Sequence, residues 1–459
     1  MTRKRKDSIK NMAIKIGLVS LGCAKNRVDA EVMMGKLQAA GYKLVEEAGM
    51  ADVAIVNTCG FIDDAKKEAI EEILELVQLK KEGRIRAILV TGCLAERYRT
   101  EIRREIPEVD AVIGIGANGE IVELVQQVLD GAAPEIFPPK EALPLCGERV
   151  QTTPYYTSYL KIAEGCDNRC TYCAIPMIRG AFRSRPIEEL VAEAAHLAKN
   201  GVRELNIIAQ DTTQYGVDLY GAPRLAELLH RLGEIDGLRW IRVLYLYPDR
   251  LTDDVIDAIA SEPKVVKYID IPLQHCDAQV LRRMNRFGDR ASLTALIQKL
   301  RDRIPGVTLR TTVMVGFPGE TEAQFTELAE FVRDVRFDRL GCFAYSAEDG
   351  TPAARLPDQL AESVKQQRQE NIMELQMTIM AEGAEQKVGS TVQVLVEGYD
   401  RYASSFFGRT PADAPEVDGK IFFTAKTHAL NAGELVTVRV TDTLDGDLIG
   451  ELTAREANS

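Results

Sequence analysis

The sequence predicts an α/β protein in three parts: an N-terminal parallel α/β domain, a central partial (βα)6 barrel and a small C-terminal all-β domain. Short apolar runs alternate with amphipathic segments from residue 13 to about residue 383, which is the pattern of parallel βαβ units. A proline-rich stretch at 131–154 interrupts this alternation and is predicted to be an interdomain linker. Beyond residue 390 the pattern changes to short alternating strands with Gly and Asp turns, which is typical of a small barrel or sandwich.

The N-terminal domain is predicted to span 13–130. Its apolar runs predict strands at 15–21, 51–57, 87–90 and 111–115, and its amphipathic segments predict helices at 29–40 and 63–79. The first twelve residues are basic, but no apolar core with a small-residue cleavage site follows them. We therefore expect 1–12 to be a disordered tail and not a signal peptide.

The central domain is predicted to span 155–385 and the C-terminal domain 386–455. Six strands separated by helical segments are expected in the centre, as in a partial (βα) barrel. These strands are predicted at 159–162, 204–209, 240–246, 268–271, 308–315 and 339–344, followed by a helix at 361–382.

Composition excludes several classes of protein. The 459 residues are 46% hydrophobic and 27% charged, which excludes wholesale disorder, and no run of about 18 apolar residues predicts a membrane span. The net charge of −12 argues against a protein that coats a polyanion. The nine cysteines are an odd number and accompany no export signal, so we expect a cytoplasmic, reducing location with thiols available for metal.

The sharpest motif is the C-x3-C-x2-C of Cys166, Cys170 and Cys173. Three thiolates this close do not complete a four-ligand zinc site without a distant partner, but they can hold three corners of a [4Fe–4S] cluster and leave one iron open. The motif follows the first strand of the predicted barrel, at the face where barrel enzymes place their chemistry. A structural zinc loop is the alternative.

Three further cysteines, Cys23, Cys59 and Cys93, each follow a predicted buried strand of the N-terminal domain. The carboxyl ends of parallel strands lie along one edge of the sheet, so these thiols are expected to converge and to bind a second cluster with an open iron. The alternative is that they are three buried cysteines acting as small hydrophobic residues.

These residues resemble those of the radical S-adenosylmethionine (radical SAM) enzymes. The upstream cysteine triad and the terminal β domain are similar to the methylthiotransferase subgroup, whose last domain is called TRAM. Within it, the similarity is greatest to the branch that modifies a ribosomal protein. The phrases that carry this resemblance are KIAEGCDNRCTYCAIPMIRG (161–180), SRPIEE (184–189), QDTTQYG (210–216), YIDIPLQH (268–275), VGFPGET (315–321) and DAPEVDG (413–419).

The resemblance implies a cofactor set and a reaction. It implies two [4Fe–4S] clusters, the one on Cys166, Cys170 and Cys173 binding S-adenosyl-L-methionine and the one on the upstream triad delivering sulfur. The implied product is a methylthio group on the β-carbon of an aspartate in the twelfth protein of the small ribosomal subunit. The implied partners are that ribosomal protein and a low-potential electron donor such as flavodoxin or ferredoxin. An unactivated C–H bond resists acid–base catalysis, so a cofactor must supply this chemistry.

Tyr172, Gln274 and Arg310 lie beside the cysteine loop or at predicted strand ends. We predict that they line the cofactor pocket, with a purely structural role for each as the alternative.

Two other functions stay open from the sequence. One is an enzyme of the same chemistry that modifies a tRNA adenosine, and the other is a non-catalytic iron–sulfur protein that transfers electrons or binds RNA. The segment 391–452 carries ten acidic and five basic residues, so tRNA is the less favoured partner and a basic protein the favoured one.

Overall fold

The structure, a computed structural model, describes residues 14–60, 62–425 and 430–455. The tail predicted at 1–12 lies outside the described residues. The chain forms two compact units. The first comprises the residues up to Thr152 together with Glu164–Asn168 and Cys173–Arg183, and the second comprises Thr153–Ala163, Arg169–Tyr172 and the residues from Ser184 onward.

The first unit is built on a six-stranded, all-parallel sheet in the order β2-β1-β3-β4-β5-β6. Its strands are β1 (Lys15–Ser20), β2 (Lys43–Val45), β3 (Val53–Thr58), β4 (Ala87–Gly92), β5 (Ala111–Ile113) and β6 (Glu135–Ile136). Its long helices are α1 (Ala24–Ala39), α2 (Asp63–Lys81), α3 (Cys93–Glu105) and α4 (Ile121–Leu129). The predicted parallel α/β fold is confirmed. The edge strands β2 and β6, of three and two residues, were not predicted.

The segment predicted as a linker packs on the first unit for most of its length. Strand β6 joins the sheet edge, where the backbone N–H of Gly114 donates to the carbonyl of Ile136 at 2.8 Å. Further along, the backbone N–H of Thr152 donates to Oε1 of Glu31 at 2.8 Å. Proline removes backbone donors without preventing an extended edge strand, so a proline-rich composition does not distinguish a packed segment from a free linker.

The second unit contains the predicted partial barrel. Its strands in barrel order are β7 (Thr157–Lys161), β10 (Glu204–Ile208), β11 (Trp240–Val243), β12 (Tyr268–Asp270), β13 (Thr308–Val315) and β14 (Arg339–Ala344); β8 (Ala163–Glu164) and β9 (Arg183–Ser184) are short. These six strands form two parallel sheets of three strands each. The backbone N–H of Leu246 donates to the carbonyl of Asp270 at 2.9 Å and joins the two sheets, so the (βα)6 prediction is confirmed.

Helices connect the barrel strands. They are α5 (Ile175–Arg179), α6 (Ile187–Lys199), α7 (Val217–Tyr220), α8 (Leu225–Gly233), α9 (Asp253–Ser261), α10 (Ala278–Arg283), α11 (Arg290–Arg303), α12 (Glu322–Val335) and α13 (Glu362–Glu385). Local sequence sets several of their starts. Asp289 and Thr321 form capping boxes with the third helical residue, which supply partners for backbone N–H groups that the helix leaves unpaired.

The C-terminal strands close into a five-stranded barrel in the order β15-β16-β17-β19-β18, as expected for a small all-β domain. They are β15 (Thr391–Asp400), β16 (Ser405–Arg409), β17 (Ile421–Thr424), β18 (Leu435–Leu444) and β19 (Asp447–Arg455). Alternate residues such as Val394, Val396, Val436 and Val438 are fully buried, which explains the alternating pattern of the sequence.

A buried charge network joins this small barrel to the first residues of the central strands. Glu204, the first residue of β10, is fully buried and accepts hydrogen bonds from Arg409 of β16 at 2.5 Å and from Arg242 of β11 at 3.1 Å. Burial alone would raise the pKa of Glu204, but the two guanidinium groups lower it to about 2. This carboxylate is therefore ionised and compensated from both sides.

The loop between β16 and β17 extends the network. Asp413 pairs with Arg339 at 2.6 Å, and Asp418 accepts a hydrogen bond from the hydroxyl of Tyr268 at 2.6 Å. Asp413 is 3% exposed, and Glu397 pairs with Arg409 at 2.7 Å. Two of the ten acids counted in this domain, Asp413 and Asp418, thus pair with Arg339 and Arg310, which lie outside it. The ion pair of Glu397 with Arg409 lies within the domain and leaves its net charge unchanged.

None of the described helices combines the length and the apolar character needed to cross a membrane.

Glu204→Gln tests how much the charge network contributes to the free energy of unfolding. The substitution leaves two buried guanidinium groups without their shared carboxylate, so we expect a loss of about 3–5 kcal/mol in the free energy of unfolding. In the wild type this stabilisation is complete above pH 4.5 and is lost as the pH falls from 4.5 towards 2, because the folded-state pKa lies below the ordinary value of 4.5. Urea denaturation followed by circular dichroism measures both effects.

The matched control is Asp64→Asn. Asp64 pairs with Lys67 at 3.2 Å, but its side chain is 87% exposed. Screening by water makes such a pair worth about 0–1 kcal/mol. Equal losses for the two variants would contradict the assigned role of Glu204.

Candidate metal centre

Cys23, Cys59 and Cys93 follow three adjacent strands of the first unit. Cys23 is the N-cap of α1 after β1, Cys59 comes directly after β3, and Cys93 opens α3 after β4. Because the strands are parallel and neighbouring, all three thiols lie at the carboxyl edge of the sheet. Cys59 and Cys93 are buried and Cys23 is exposed, so the site is open on the Cys23 side.

A glycine accompanies each of these cysteines. Gly22 has a φ of +85°, and a Cβ built on it would lie 2.7 Å from Sγ of Cys59. Gly92 has a φ of +94°, and its Cβ would lie 2.4 Å from the carbonyl oxygen of Thr58. A side chain at either position would separate the strand ends. The pairing of Gly with Cys is a sequence signal that could have identified this edge more directly.

Two asparagines fix the first strand end against the second. Asn26 Nδ2 donates to the carbonyls of Leu21 at 2.7 Å and Asn57 at 3.1 Å. Asn57 Nδ2 donates in return to the carbonyl of Asn26 at 2.8 Å. Both asparagines are buried, so these bonds are made without competition from water. They hold the Cys23 turn beside the Cys59 turn.

Arg179 was not singled out from the sequence, and it lies beside the Cys93 thiol. It ends α5, is 2% exposed, and its Nη2 lies 3.5 Å from Sγ of Cys93. Its Nη1 donates to Asp29 at 2.5 Å and to Glu164 at 3.2 Å. The only sequence signal was its place in the phrase CAIPMIRG, which is also part of the cysteine motif.

Burial and a neighbouring guanidinium act in opposite directions on the pKa of the Cys93 thiol. Burial raises the pKa of the Cys93 thiol to about 12, while the charge of Arg179 acts in the opposite direction. A metal-bound thiol is deprotonated, because the charge of the metal compensates for the loss of hydration. In the described part of the chain no three His, Cys, Asp or Glu side chains form a site for a single ion. A four-iron cluster differs from such a site, since each thiolate binds its own iron.

The second cysteine motif spans residues of both units. Cys166 and Cys173 belong to the first unit and Cys170 to the second. The backbone N–H of Cys166 donates to the carbonyl of Gly180 at 3.1 Å. A Cβ on the preceding Gly165 would lie only 2.0 Å from the carbonyl oxygen of Ala181, so glycine is required there.

Cys170 lies among side chains of the barrel that the sequence did not single out. Its Sγ is 4.0 Å from the hydroxyl of Tyr247, and it also bonds the guanidinium of Arg286. Burial opposes the charge of Arg286, but Tyr172, Tyr247 and Cys170 together raise its pKa. Arg286 therefore places a positive charge beside the Cys170 sulfur.

The three residues predicted to contact the cofactor have different surroundings in the structure. Tyr172 is partly buried and packs against the hydrophobic cluster that contains Phe317 and Tyr345. Gln274 follows β12 with a left-handed φ of 73°, and its carbonyl accepts a 2.7 Å hydrogen bond from Met314.

Arg310 is the third of eight residues in β13 and not at the carboxyl end of the strand. It pairs with Asp270 at 3.5 Å and with Asp418 at 3.7 Å. These ion pairs agree with the structural alternative, and a cofactor contact for Arg310 stays a prediction.

A buried polar group lies near Gln274. His275 is fully buried, and burial lowers its pKa to about 4, so the imidazole is neutral at pH 7. Its Nε2 is 3.7 Å from Glu320, which accepts from the backbone N–H of Gly316 at 3.0 Å and pairs with Arg368 at 2.7 Å. These contacts stabilise the turn that follows β13.

Family models match three segments of the chain. Residues 15–114 match the Uncharacterized protein family UPF0004, residues 160–332 the Radical SAM superfamily, and residues 388–453 the TRAM domain.

Relatives cover nearly the whole chain. A protein of Desulforamulus reducens named ribosomal protein uS12 methylthiotransferase RimO is 49% identical over 95% of this chain and 99% of its own length. The protein of the same name from Geobacter sulfurreducens is 47% identical over 96% of this chain and 99% of its own.

The fold is also similar to that of a solved radical enzyme. The structure of the radical S-adenosylmethionine methyltransferase TsrM from Kitasatospora setae, with cobalamin and a [4Fe-4S] cluster bound, matches with a TM-score of 0.57 at 14% identity. It covers 74% of this chain and 77% of that one, which supports the fold alone. From the identity and coverage of the relatives, the chain belongs to the RimO family of methylthiotransferases in the radical SAM superfamily.

Proposed function

We propose that this enzyme adds a methylthio group to the β-carbon of an aspartate in ribosomal protein uS12, in the cytoplasm. The observation that carries the proposal is the convergence of Cys23, Cys59 and Cys93 at one sheet edge, upstream of a second cysteine triad. The names of the relatives support uS12 as the substrate. They give no support to tRNA modification or to a non-catalytic role.

In this proposal the two triads hold two [4Fe–4S] clusters, and Cys166, Cys170 and Cys173 hold the one that binds S-adenosylmethionine. When bound, these groups supply the radical and sulfur chemistry that side chains cannot perform. A low-potential donor such as flavodoxin or ferredoxin would supply electrons. Tyr172, Gln274 and Arg310 are proposed to line the cofactor pocket, with a purely structural role as the alternative for Arg310, which pairs with Asp270 and Asp418.

The residues of the chain orient and protect this chemistry. Buried Cys59 and Cys93 exclude water from one side of the sulfur source, and exposed Cys23 leaves the other side open to substrate. The paired asparagines hold the Cys23 turn beside the Cys59 turn, so that both thiols can bind the same cluster.

The substrate prediction can be tested directly. We expect the anaerobically reconstituted enzyme, with S-adenosylmethionine and a reductant, to modify uS12 and leave tRNA unmodified. Mass spectrometry of both reaction mixtures measures this, with Cys146→Ala as a control at an exposed cysteine outside the two triads. Modified tRNA with unmodified uS12 would replace this proposal by the tRNA-modifying alternative.

The triple variant Cys166→Ala/Cys170→Ala/Cys173→Ala tests the second cluster. We expect iron to fall from about eight to about four per chain and cleavage of S-adenosylmethionine to stop, because one set of thiolates is removed. Iron analysis and chromatography of 5′-deoxyadenosine measure the two effects. Continued cleavage would remove these cysteines from the cofactor site.

Cys59→Ala is expected to separate the two half-reactions. The variant retains the thiolates proposed to bind S-adenosylmethionine, so 5′-deoxyadenosine should still form, but methylthiolated uS12 should not. Both products are measured in one reaction mixture against Cys146→Ala. Full product formation by Cys59→Ala would exclude the upstream triad from the reaction.

A further inference from the structure

Arg179 connects the two cysteine triads along the chain. Helix α5 begins two residues after Cys173 and ends at Arg179, whose guanidinium reaches the thiol of Cys93. Cys93, Ala174 and Ile178 form a small group of buried hydrophobic side chains, which packs this segment against Cys93. A short segment therefore carries a cysteine of one triad at its start and a contact to the other triad at its end.

The position of the guanidinium is fixed by more than the sulfur contact. Asp29 and Glu164 accept from Nη1, and Asn26 Oδ1 accepts from Nη2 at 3.1 Å. Asp29 is 4% exposed and Glu164 is fully buried. The planar fork of arginine suits this arrangement, whereas a lysine would present a single point charge. Asn26 also holds the Cys23 turn, so the same contacts link Arg179 to two of the three cysteine turns.

We propose that Arg179 is a positioning residue that orients the Cys93 sulfur and raises the reduction potential of the cluster held by Cys23, Cys59 and Cys93. This rests on the proposed function, which assigns that cluster. A nearby positive charge and an N–H donor to a ligating sulfur stabilise the more negative, reduced form of an iron–sulfur cluster. Because the contact is buried at 3.5 Å, solvent weakens it little.

The test uses the full chain carrying Cys166→Ala/Cys170→Ala/Cys173→Ala, so that one cluster contributes the signal. Arg179→Gln removes the charge, Arg179→Lys keeps the charge but loses the fork, and Arg183→Gln is the control. Arg183 is the next arginine along the chain and donates to the carbonyl of Glu141 at 2.8 Å. Iron content, the electron paramagnetic resonance spectrum and the midpoint potential are measured anaerobically.

We expect Arg183→Gln to match its parent and Arg179→Gln to shift the midpoint to a more negative value. A smaller shift in the same direction is expected for Arg179→Lys. A purely structural arginine would leave the midpoint and spectrum of every folded variant unchanged, and that result would overturn the inference.

Removing Arg179 leaves buried carboxylates without their partner, which can unfold the chain. Arg179→Gln/Asp29→Asn lowers this cost by removing the nearer charge, and circular dichroism confirms the fold. Loss of iron from this folded variant, with iron kept by Arg183→Gln, supports the orienting role. A parent chain that binds no iron would instead refute the proposed function and leave this inference without its cluster.

Discussion

Crowding at the carboxyl edge of the parallel sheet determines the rest of the first unit. Three strands end side by side, and their chains turn away in a space that admits no Cβ at Gly22 or Gly92. The thiols therefore project from turns that cannot separate. Parallel strands create this edge, glycine allows the close approach, and buried amide and guanidinium groups hydrogen-bond the backbone and thiol groups that the turns expose. The chemical site is thus a direct result of how the strands end.

Much of the architecture could be predicted from sequence, because long and regularly spaced apolar patterns indicate which residues are buried. Strands such as β13 and β14 have the bounds that their sequences predicted, since each is long and flanked by clear turn signals. The six cysteines of the two triads could also be identified from sequence, because cysteine is rare and the spacing of these cysteines is specific. The assignment of those cysteines to clusters stays a prediction.

Other features depend on contacts that no local pattern encodes. Arg179 lies 86 residues from Cys93 in sequence, and Glu204 lies 205 residues from Arg409. Sequence patterns do not distinguish a buried arginine from an exposed one, so both are predicted to lie at the surface. Arg310 illustrates the same limit, because its ion pairs with Asp270 and Asp418 form only when three distant segments fold together.

Asp413 and Asp418, which lie in the loop between β16 and β17, limit how the terminal barrel can be exchanged. Here Asp413 and Asp418 bind arginines and a tyrosine at the starts of the central strands. A chimaera that exchanges the terminal barrel must carry a matching loop, or it leaves Arg339 without its carboxylate partners and Arg310 with Asp270 alone. Recombination between such enzymes is therefore constrained by a few charged positions and not by the barrel as a whole.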